Sequence, residues 1–249
     1  MTDLKAVVLA AGQGTRLQAA DNNSPKVMRL ANGKPLLRYV LDSLSFIAEQ
    51  NIIVVVGYKK AEVIANFGGY SFAVQDEQLG TGHAVMAAAD SLSGFSGSVL
   101  ICYGDMPAVR RATYEDLVRA HITAGNDCTI LTGESAIAVP YGRIVRGSDG
   151  EFIEIVEDRD CTPEQKKITE LNSGVYVFRA PFLFEALKRV QRGNSQGEYY
   201  LTDVPAIMRA DGGRVGVCRL DLGDELLGVN TPEQLSMIEV ILQRREECG

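Results

Sequence analysis

Short apolar runs alternate with longer amphipathic stretches through the first half of the chain. The apolar runs predict buried strands over Ala6–Ala10, Ile52–Val56, Phe72–Gln75, Val99–Tyr103 and Thr129–Thr132. The stretches between them predict helices over Leu36–Ala48, Glu62–Phe67, His83–Ala89 and Tyr114–Ala124. Short apolar strands separated by helices are typical of a parallel sheet that helices cover on both faces. The pattern therefore predicts an α/β fold.

The second half of the chain has a different pattern. Arg143–Arg146 and Phe152–Val156 flank a Gly-Ser-Asp-Gly turn and predict a β-hairpin. Beyond the hairpin, the pattern predicts strands over Gly174–Phe178 and Val215–Leu220, and helices over Phe182–Val190, Val204–Arg209 and Thr231–Arg244. Because no repeat or linker interrupts the chain, we expect one domain over residues 1–249. Its two halves, about 1–139 and 140–229, are followed by a C-terminal helix at about 231–245.

Composition and charge narrow the class of protein. The net charge is −7 and no basic run stands out, so nucleic acid is not an expected partner. The apolar runs are too short to span a bilayer, and residues 1–5 lack the apolar core of a signal peptide. The odd number of cysteines, five, favours a reducing compartment, and none of them forms a C-x-x-C pair. We expect a cytoplasmic protein without a membrane partner.

The segment Leu9–Arg16, Leu-Ala-Ala-Gly-Gln-Gly-Thr-Arg, follows the first predicted strand. Its glycines let backbone N–H groups turn toward phosphate oxygens, and an arginine in such a loop can bind phosphate with two hydrogen bonds. The loop is not a Walker motif. It is also an incomplete dinucleotide fingerprint, because Leu17 stands where the third glycine would be. Phosphate binding and a plain tight turn both remain open from this loop alone.

Two further segments carry candidate binding residues. Lys26 lies in a polar stretch before the first predicted helix, where its charge could neutralise a triphosphate or simply face solvent. The segment Gln75–Ala84 follows the third predicted strand and offers side-chain amides and glycines for contacts with a base. A capped loop without a ligand would have the same composition. His83 fits packing or capping at the helix start better than general base catalysis.

Two oxygen-bearing side chains are candidate metal ligands. Asp105 comes just after the fourth predicted strand, and a carboxylate at a strand's end suits Mg²⁺, which takes one or two protein oxygens together with phosphates and water. Asn230 directly precedes Thr231, the expected N-cap of the last helix, with Gln234 three residues further on. Either residue could equally be an ordinary turn residue.

The motifs occur together in an order that resembles one family. They are Leu9–Arg16, Pro25-Lys26, Gln75–Ala84, Tyr103-Gly104-Asp105, Tyr141-Gly142-Arg143-Ile144, Glu157, Glu170–Gly174, Gln196–Asp203 and Gly228-Val229-Asn230. From residue 5 to about 240 the chain resembles the uridylyltransferase domain of the bifunctional N-acetylglucosamine-1-phosphate uridylyltransferase family. Many sugar nucleotidyltransferases share the glycine-rich loop, whereas the combination of Gln78–Ala84 with Gln196–Asp203 is much narrower.

This resemblance implies a fold and a set of site residues. The fold would be the Rossmann-like, mixed and mostly parallel sheet of nucleotide-diphospho-sugar transferases, with a small sugar-binding lobe that contains the hairpin. The nucleotide site would comprise Leu9, Ala10, Ala11, Gly12, Gly14, Thr15, Gln75, Gly80 and Thr81. Catalysis would depend on Arg16 and Lys26 at the phosphates and on Asp105, which would ligate Mg²⁺ together with Asn230. The sugar substrate would contact Tyr103, Gly104, Gly142, Glu157, Asn172, Thr202 and Asn230.

The implied reaction joins UTP to N-acetylglucosamine 1-phosphate and releases pyrophosphate. The chain lacks hexapeptide repeats of the kind that form an acetyltransferase β-helix, so acetyl transfer is not expected of it. Another sugar 1-phosphate, such as glucose 1-phosphate, is an alternative substrate. A non-catalytic sugar-nucleotide sensor is a second alternative, although Arg16, Lys26, Asp105 and Asn230 are all present. A nicotinamide dehydrogenase fits least, given the incomplete fingerprint.

Overall fold

The computed structural model describes residues 3–14, 24–134 and 140–248. The strands are β1 (Leu4–Ala10), β2 (Leu30–Ala31), β3 (Lys34–Pro35), β4 (Ile52–Val56), β5 (Ser71–Val74), β6 (Ser98–Tyr103), β7 (Cys128–Glu134), β8 (Arg143–Arg146), β9 (Phe152–Val156), β10 (Glu170–Arg179) and β11 (Val215–Arg219). The helices are α1 (Leu36–Ser43), α2 (Lys60–Asn66), α3 (Thr81–Ala87), α4 (Arg111–Ala124), α5 (Ala180–Leu187), α6 (Val204–Ala210) and α7 (Pro232–Cys248).

Within the described ranges, nine strands form one mixed sheet. Its main path runs β11-β7-β10-β6-β1-β4-β5, and the β8–β9 hairpin is attached at β10. The strands β6, β1, β4 and β5 pair in parallel, as do β7 and β11, while β10 is antiparallel to both of its neighbours on this path. The predicted fold class, a mostly parallel Rossmann-like sheet flanked by helices, is confirmed.

The sheet is buried on both faces. Successive residues of a strand point to opposite sides, and β1 is apolar at every position from Ala6 to Ala10. Ala6, Val8 and Ala10 belong to one apolar cluster together with α1 and α4, whereas Val7 and Leu9 belong to a second cluster together with α3, α5 and α6. This arrangement explains why the strands of the first half are continuous apolar runs.

Strand β10 is longer than the predicted strand over Gly174–Phe178. It begins at Glu170. The sequence pattern did not predict this start, because polar residues there do not indicate a buried strand. The carboxylate of Glu170 accepts hydrogen bonds from Thr132 Oγ1 at 2.9 Å and Arg146 Nε at 2.7 Å. Since β10 lies between β6 and β7, the two halves of the chain share one sheet.

Near the start of the chain, one predicted helix needs correction and one hairpin was missed. The helix predicted over Leu36–Ala48 ends at Ser43, because the chain turns after Leu44 and buries Ile47 from that turn rather than from a further helical turn. The β2–β3 hairpin was not predicted, although its Asn32-Gly33 turn is a strong hairpin signal. Asn32 and Gly33 have φ angles of 50° and 79°, as a type I′ turn requires.

Helix α7 begins as predicted, with Pro232 directly after Thr231. Thr231 Oγ1 accepts a hydrogen bond from Gln234 N at 3.3 Å, and Gln234 Oε1 accepts one from Thr231 N at 3.1 Å, which forms a capping box. Gln234 Oε1 also accepts a hydrogen bond from Asn230 N at 2.7 Å. The described part of the chain contains no helix with the length and apolar character needed to cross a membrane.

The central strands should tolerate little loss of volume. Leu100 in β6 is fully buried, so Leu100→Ala should lower the free energy of unfolding by about 2–5 kcal/mol in urea denaturation. Leu30 in β2 is 54% exposed, so the control Leu30→Ala should change it by less than about 0.5 kcal/mol. Equal losses in the two variants would contradict the described core.

The buried His121 should make stability depend on pH. Burial lowers the pKa of His121 to about 4, and Arg179 acts in the same direction against an opposing effect of Asp127. Its Nδ1 lies 3.0 Å from the Thr129 hydroxyl, which fits a neutral ring. Because the unfolded chain takes up the proton near pH 6.5, the native state should lose up to roughly 3 kcal/mol as the pH falls from 6.5 to 4.

Urea denaturation at pH 7 and pH 4.5 measures this effect, with His121→Gln as the non-titrating control. The difference in unfolding free energy between the two pH values should be larger for the native sequence than for His121→Gln. An identical pH dependence in both proteins would show that His121 is not held neutral by the fold.

Candidate active site

The candidate site lies where the strand order of the sheet reverses. From β1 the chain proceeds to β4 and β5 on one side, and β6 then pairs with β1 on the other side. In open α/β sheets, ligands bind at the carboxyl ends of the strands that flank such a reversal. The loop that begins with Ala11 follows β1, and Gly104-Asp105 follows β6. Gly104 N donates a hydrogen bond to Leu9 O at 2.9 Å, so these two loops begin side by side.

A first cavity of about 230 Å³ opens at this edge of the sheet. Its walls bring together many residues predicted from the sequence, namely Leu9, Ala10, Ala11, Gly12, Lys26, Gln75, Gly80, Thr81, Tyr103 and Asp105. Four other lining residues, Val27, Gln78, Ala84 and Glu198, had not been selected. Gln78, Ala84 and Glu198 lie within the quoted motifs and Val27 directly follows one, so motif membership was the available signal for the first three.

The side chain of Gln75 is buried and shapes the loop that follows it. Its Nε2 donates to Gly80 O at 3.1 Å and lies 3.1 Å from Nδ1 of His83. The ring of His83 stacks on Tyr199, with centroids 6.2 Å apart. His83 thus has packing and hydrogen-bonding partners within the protein. The Gln75 amide fixes the backbone of Gly80, which forms part of the cavity wall.

The two narrowest sequence motifs contact each other through their backbones. Gly82 N donates to Tyr199 O at 2.7 Å, and Tyr199 N donates to Leu79 O at 2.8 Å. Gly80 has a φ angle of 111°, and a Cβ atom there would lie 2.6 Å from Tyr199 O. The close approach of the two loops therefore requires glycine, which gives a physical reason for pairing these motifs in one site.

Lys26 is held against the glycine-rich loop. Gly14 has a φ angle of 67°, and a Cβ atom there would lie 2.7 Å from Cβ of Lys26. The predicted residues Thr15 and Arg16 lie outside the described residues. Val27, the next residue after Lys26, is buried and anchors the backbone of this segment.

Asp105 and Asn230 converge on one position. Lys26 Nζ forms an ion pair with Asp105 and donates a hydrogen bond to Asn230 Oδ1 at 2.8 Å. The backbone also joins these loops, since Val229 N donates to Asp105 O at 3.0 Å. Gln234 holds the peptide N–H of Asn230 from the start of α7. The two candidate metal ligands are thereby fixed side by side.

The donor set fits Mg²⁺ bound together with a substrate. One carboxylate oxygen and one amide oxygen contact the ammonium of Lys26, which occupies the position that a metal cation would take. Among residues 3–14, 24–134 and 140–248, no group of three or more His, Cys, Asp or Glu side chains could enclose a metal. Two protein oxygens supplemented by phosphate and water oxygens is the usual arrangement for Mg²⁺.

Two further cavities adjoin the first at Tyr103. The smaller, about 160 Å³, is lined by Tyr103, Asp105, Met106, Pro140, Tyr141, Gly142, Glu157, Asn172, Ser173, Gly174, Gly228 and Asn230. The larger, about 500 Å³, shares Tyr103, Pro140, Tyr141, Glu157 and Asn230 with it, and its further lining residues include Gln196 and Tyr200. Of the residues predicted to contact a sugar, Tyr103, Gly142, Glu157, Asn172 and Asn230 line the smaller cavity, whereas Gly104 and Thr202 line none of the three cavities.

Glu157 lines both of these cavities and forms a polar pair with the buried Thr202. Thr202 Oγ1 donates to Glu157 Oε1 at 3.0 Å. Burial raises the pKa of Glu157, and the carboxylates of Asp160 and Asp203 add to this rise against the opposing hydrogen bond from Thr202. The remaining carboxylate oxygen is a strong acceptor for a hydroxyl group in this cavity.

Asn172 shapes the wall next to Tyr103. Its Nδ2 donates to the Tyr176 hydroxyl at 2.7 Å, and its Oδ1 accepts from Gly174 N at 3.1 Å. These bonds lie at the register shift of β10 and hold Gly174 at a φ angle of 81°. A Cβ atom on Gly174 would lie 2.5 Å from the Tyr103 ring, so this glycine makes room for the tyrosine.

Tyr141 was part of a quoted motif but had no predicted role. Its hydroxyl donates to Leu226 O at 2.6 Å and accepts from Gly228 N at 2.9 Å. These two bonds fix the segment that leads to Asn230. A tyrosine hydroxyl that bridges two backbone groups of a distant loop has no local sequence signature.

Comparison with known proteins assigns the chain to a family. Residues 6–197 match the model for the MobA-like NTP transferase domain, which covers well over half of the chain. The chain therefore belongs to the family of MobA-like NTP transferase domains, and it is a nucleotidyltransferase. The family resemblance inferred from the motifs is confirmed by its similarity to curated relatives.

One relative is a bifunctional protein GlmU of Pelotomaculum thermopropionicum, 41% identical over 244 residues, which are 98% of this chain and 53% of that protein. Another is the bifunctional protein GlmU of Streptococcus equi subsp. zooepidemicus, 43% identical over 241 residues, which are 96% of this chain and 52% of that protein. The chain thus spans about half the length of the curated relatives it matches.

A solved structure shares the fold. It is a crystal structure of a presumed glucose-1-phosphate thymidylyltransferase of Bacillus anthracis in complex with sucrose. The TM-score is 0.73 at 18% sequence identity, with 96% of this chain and 94% of the other chain covered. At this identity the similarity concerns the fold alone.

The contact between Gly174 and Tyr103 can be tested with a matched pair of glycines. Gly150 has a φ angle of 82° and open space around it. Gly150→Ala should therefore lower the free energy of unfolding by about 1–2 kcal/mol, because alanine disfavours the left-handed backbone conformation. Gly174→Ala should cost about 1–3 kcal/mol more, because its methyl group meets the Tyr103 ring. Urea denaturation measures both, and equal costs would contradict the described packing.

Proposed function

We propose that the chain is a Mg²⁺-dependent uridylyltransferase that converts UTP and N-acetylglucosamine 1-phosphate into UDP-N-acetylglucosamine and pyrophosphate. The observation that carries the proposal is the convergence of Asp105 and Asn230 on one cationic position where the cavities meet. The identities of 41–43% with bifunctional GlmU proteins support this choice of substrates.

The nucleotide occupies the first cavity in this proposal. Gln75, Gly80 and Thr81 surround the base, where the fixed backbone of Gly80 offers hydrogen bonds to a uracil edge. The triphosphate follows the glycine-rich loop, and its charge is offset by Lys26 and by Arg16. The nucleotide half of the chain would then correspond to residues 1–139.

The sugar phosphate occupies the cavities beyond Tyr103. Glu157 accepts a hydrogen bond from a sugar hydroxyl with the oxygen that Thr202 leaves free. Asn172 still has one amide N–H for an acetamido oxygen after its bond to Tyr176. Gly142 allows the sugar ring to approach the backbone. A pocket built on such hydrogen bonds rejects sugars that lack the matching group. The sugar half would correspond to residues 140–229.

The reaction is an in-line displacement at the α-phosphorus. A phosphate oxygen of the sugar 1-phosphate forms a bond to this phosphorus, while the bond to the β-phosphate oxygen breaks and pyrophosphate leaves. Bound Mg²⁺ would supply charge neutralisation at the phosphate oxygens. Asp105 and Asn230 would hold it, and Lys26 and Arg16 would stabilise charge on the leaving group. Such chemistry depends on positioning and electrostatics more than on a strong base.

Pyrophosphate release tests the proposal directly. UTP, CTP, GTP, ATP and dTTP would each be combined with N-acetylglucosamine 1-phosphate or glucose 1-phosphate, with Mg²⁺ or with a chelator. We expect release to depend on Mg²⁺ and to be strongest for UTP with N-acetylglucosamine 1-phosphate. Preference for another pair would overturn the proposed substrates. No pyrophosphate release with any pair would overturn the proposed enzymatic activity.

Asp105 should be essential for turnover. Asp105→Asn weakens the metal site, and the loss of one such electrostatic contact typically lowers kcat by about 10²–10³. Asp211→Asn is the matched control, because Asp211 forms an exposed ion pair with Arg189 and lines none of the three cavities. Steady-state pyrophosphate release measures both variants. A near-normal kcat in folded Asp105→Asn would remove Asp105 from the catalytic machinery.

A further inference from the structure

The ammonium of Lys26 lies between the two side chains that are proposed to bind the metal. It forms an ion pair with Asp105 and a 2.8 Å hydrogen bond with Asn230 Oδ1. The side chains of Lys26 and Asp105 are only 12% and 20% exposed, so solvent screens this contact weakly. Lys26 therefore engages Asn230 Oδ1 and one of the two carboxylate oxygens of Asp105, Oδ2, which a metal at this position would use.

The ammonium and a divalent cation exclude each other at this position. Mg²⁺ requires oxygens at about 2.0–2.1 Å, and an ammonium hydrogen-bonded to the same oxygens would then lie next to it. Two cations that close in a partly buried site repel each other strongly. Binding of a metal at Asp105 and Asn230 therefore requires Lys26 to move.

The first cavity, which Lys26 lines, offers its side chain space for a second position. Its backbone is anchored by the buried Val27, while its stem packs on Gly14 of the glycine-rich loop. Lys26 also lines the first cavity, together with Gly12. A rotation of its flexible side chain can carry the ammonium toward that cavity without moving the backbone. A triphosphate in the cavity would offer it new anionic partners.

We propose that Lys26 occupies the Asp105–Asn230 site as an internal cation and leaves it when a nucleoside triphosphate binds. The inference rests on the proposed function and adds an order of binding to it. In the nucleotide-free protein, Lys26 competes with divalent metal. The enzyme therefore takes up metal and nucleotide together, as a metal–nucleotide complex, and metal alone binds weakly.

Metal titration without nucleotide tests the competition. The free Mn²⁺ signal in electron paramagnetic resonance gives the Mn²⁺ affinity of the native chain, of Lys26→Met, and of the control Lys188→Met. Lys188 forms an exposed ion pair with Glu185 on α5, so its substitution removes the same charge elsewhere. Removal of a charged hydrogen-bonding competitor should tighten Mn²⁺ binding by about tenfold or more in Lys26→Met alone.

Two further measurements separate occupation of the site from a general effect of charge. The increase in Mn²⁺ affinity of Lys26→Met should persist at high salt, which screens distant charges. It should vanish in the double variant that combines Lys26→Met with Asp105→Asn. In the native protein, saturating Mn²⁺ alone should raise the rate at which an amine-directed reagent modifies Lys26, relative to Lys188. Mass spectrometry measures this rate without any substitution.

Equal Mn²⁺ affinities for the native chain and Lys26→Met, or a Lys26 labelling rate unchanged at metal saturation, would overturn the inference. If pyrophosphate release then still required metal and UTP, the proposed function would stand without it. An increased Mn²⁺ affinity of Lys26→Met, together with no pyrophosphate release for any substrate pair, would instead refute the proposed function. The competition between Lys26 and metal would then still stand.

Discussion

The hydrogen bond from the Val229 peptide N–H to the carbonyl of Asp105 joins two segments far apart in sequence. It sets Asn230 beside Asp105, and the rest of the site depends on that pairing. Tyr141 fixes the segment before Asn230 from one side, and Gln234 at the start of α7 fixes it from the other. The candidate metal site is therefore held by hydrogen bonds to its backbone rather than by its own side chains, whose oxygens contact the ammonium of Lys26.

The same constraint would let one chain hold the two proposed substrates next to each other. The strand order reverses between β1 and β6, which opens the first cavity, and the hairpin and β10 build the cavities beyond it. Tyr103 stands between them because Gly174 has no side chain to displace it. Asp105 lines a cavity on each side of this tyrosine. A reaction between two bound phosphates needs such a shared boundary.

The sequence predicted the parallel half of the fold well, since apolar runs between helices have few alternative structures. It missed the start of β10 because Glu170 and Asn172 are polar, and only tertiary partners explain their burial. Many site residues could be selected from motifs, and most described ones lie around the cavities. The position of Lys26 between Asp105 and Asn230 could not be predicted, because it depends on a contact between three distant segments.

The most direct test is the structure of the protein crystallised with Mn²⁺ and UTP. Anomalous scattering locates the metal without assumptions about its ligands. The account predicts one Mn²⁺ bound by oxygens of Asp105, Asn230 and the triphosphate, with the Lys26 ammonium moved to the phosphates. A metal held by other side chains, or Lys26 still bridging Asp105 and Asn230 with the nucleotide bound, would contradict it.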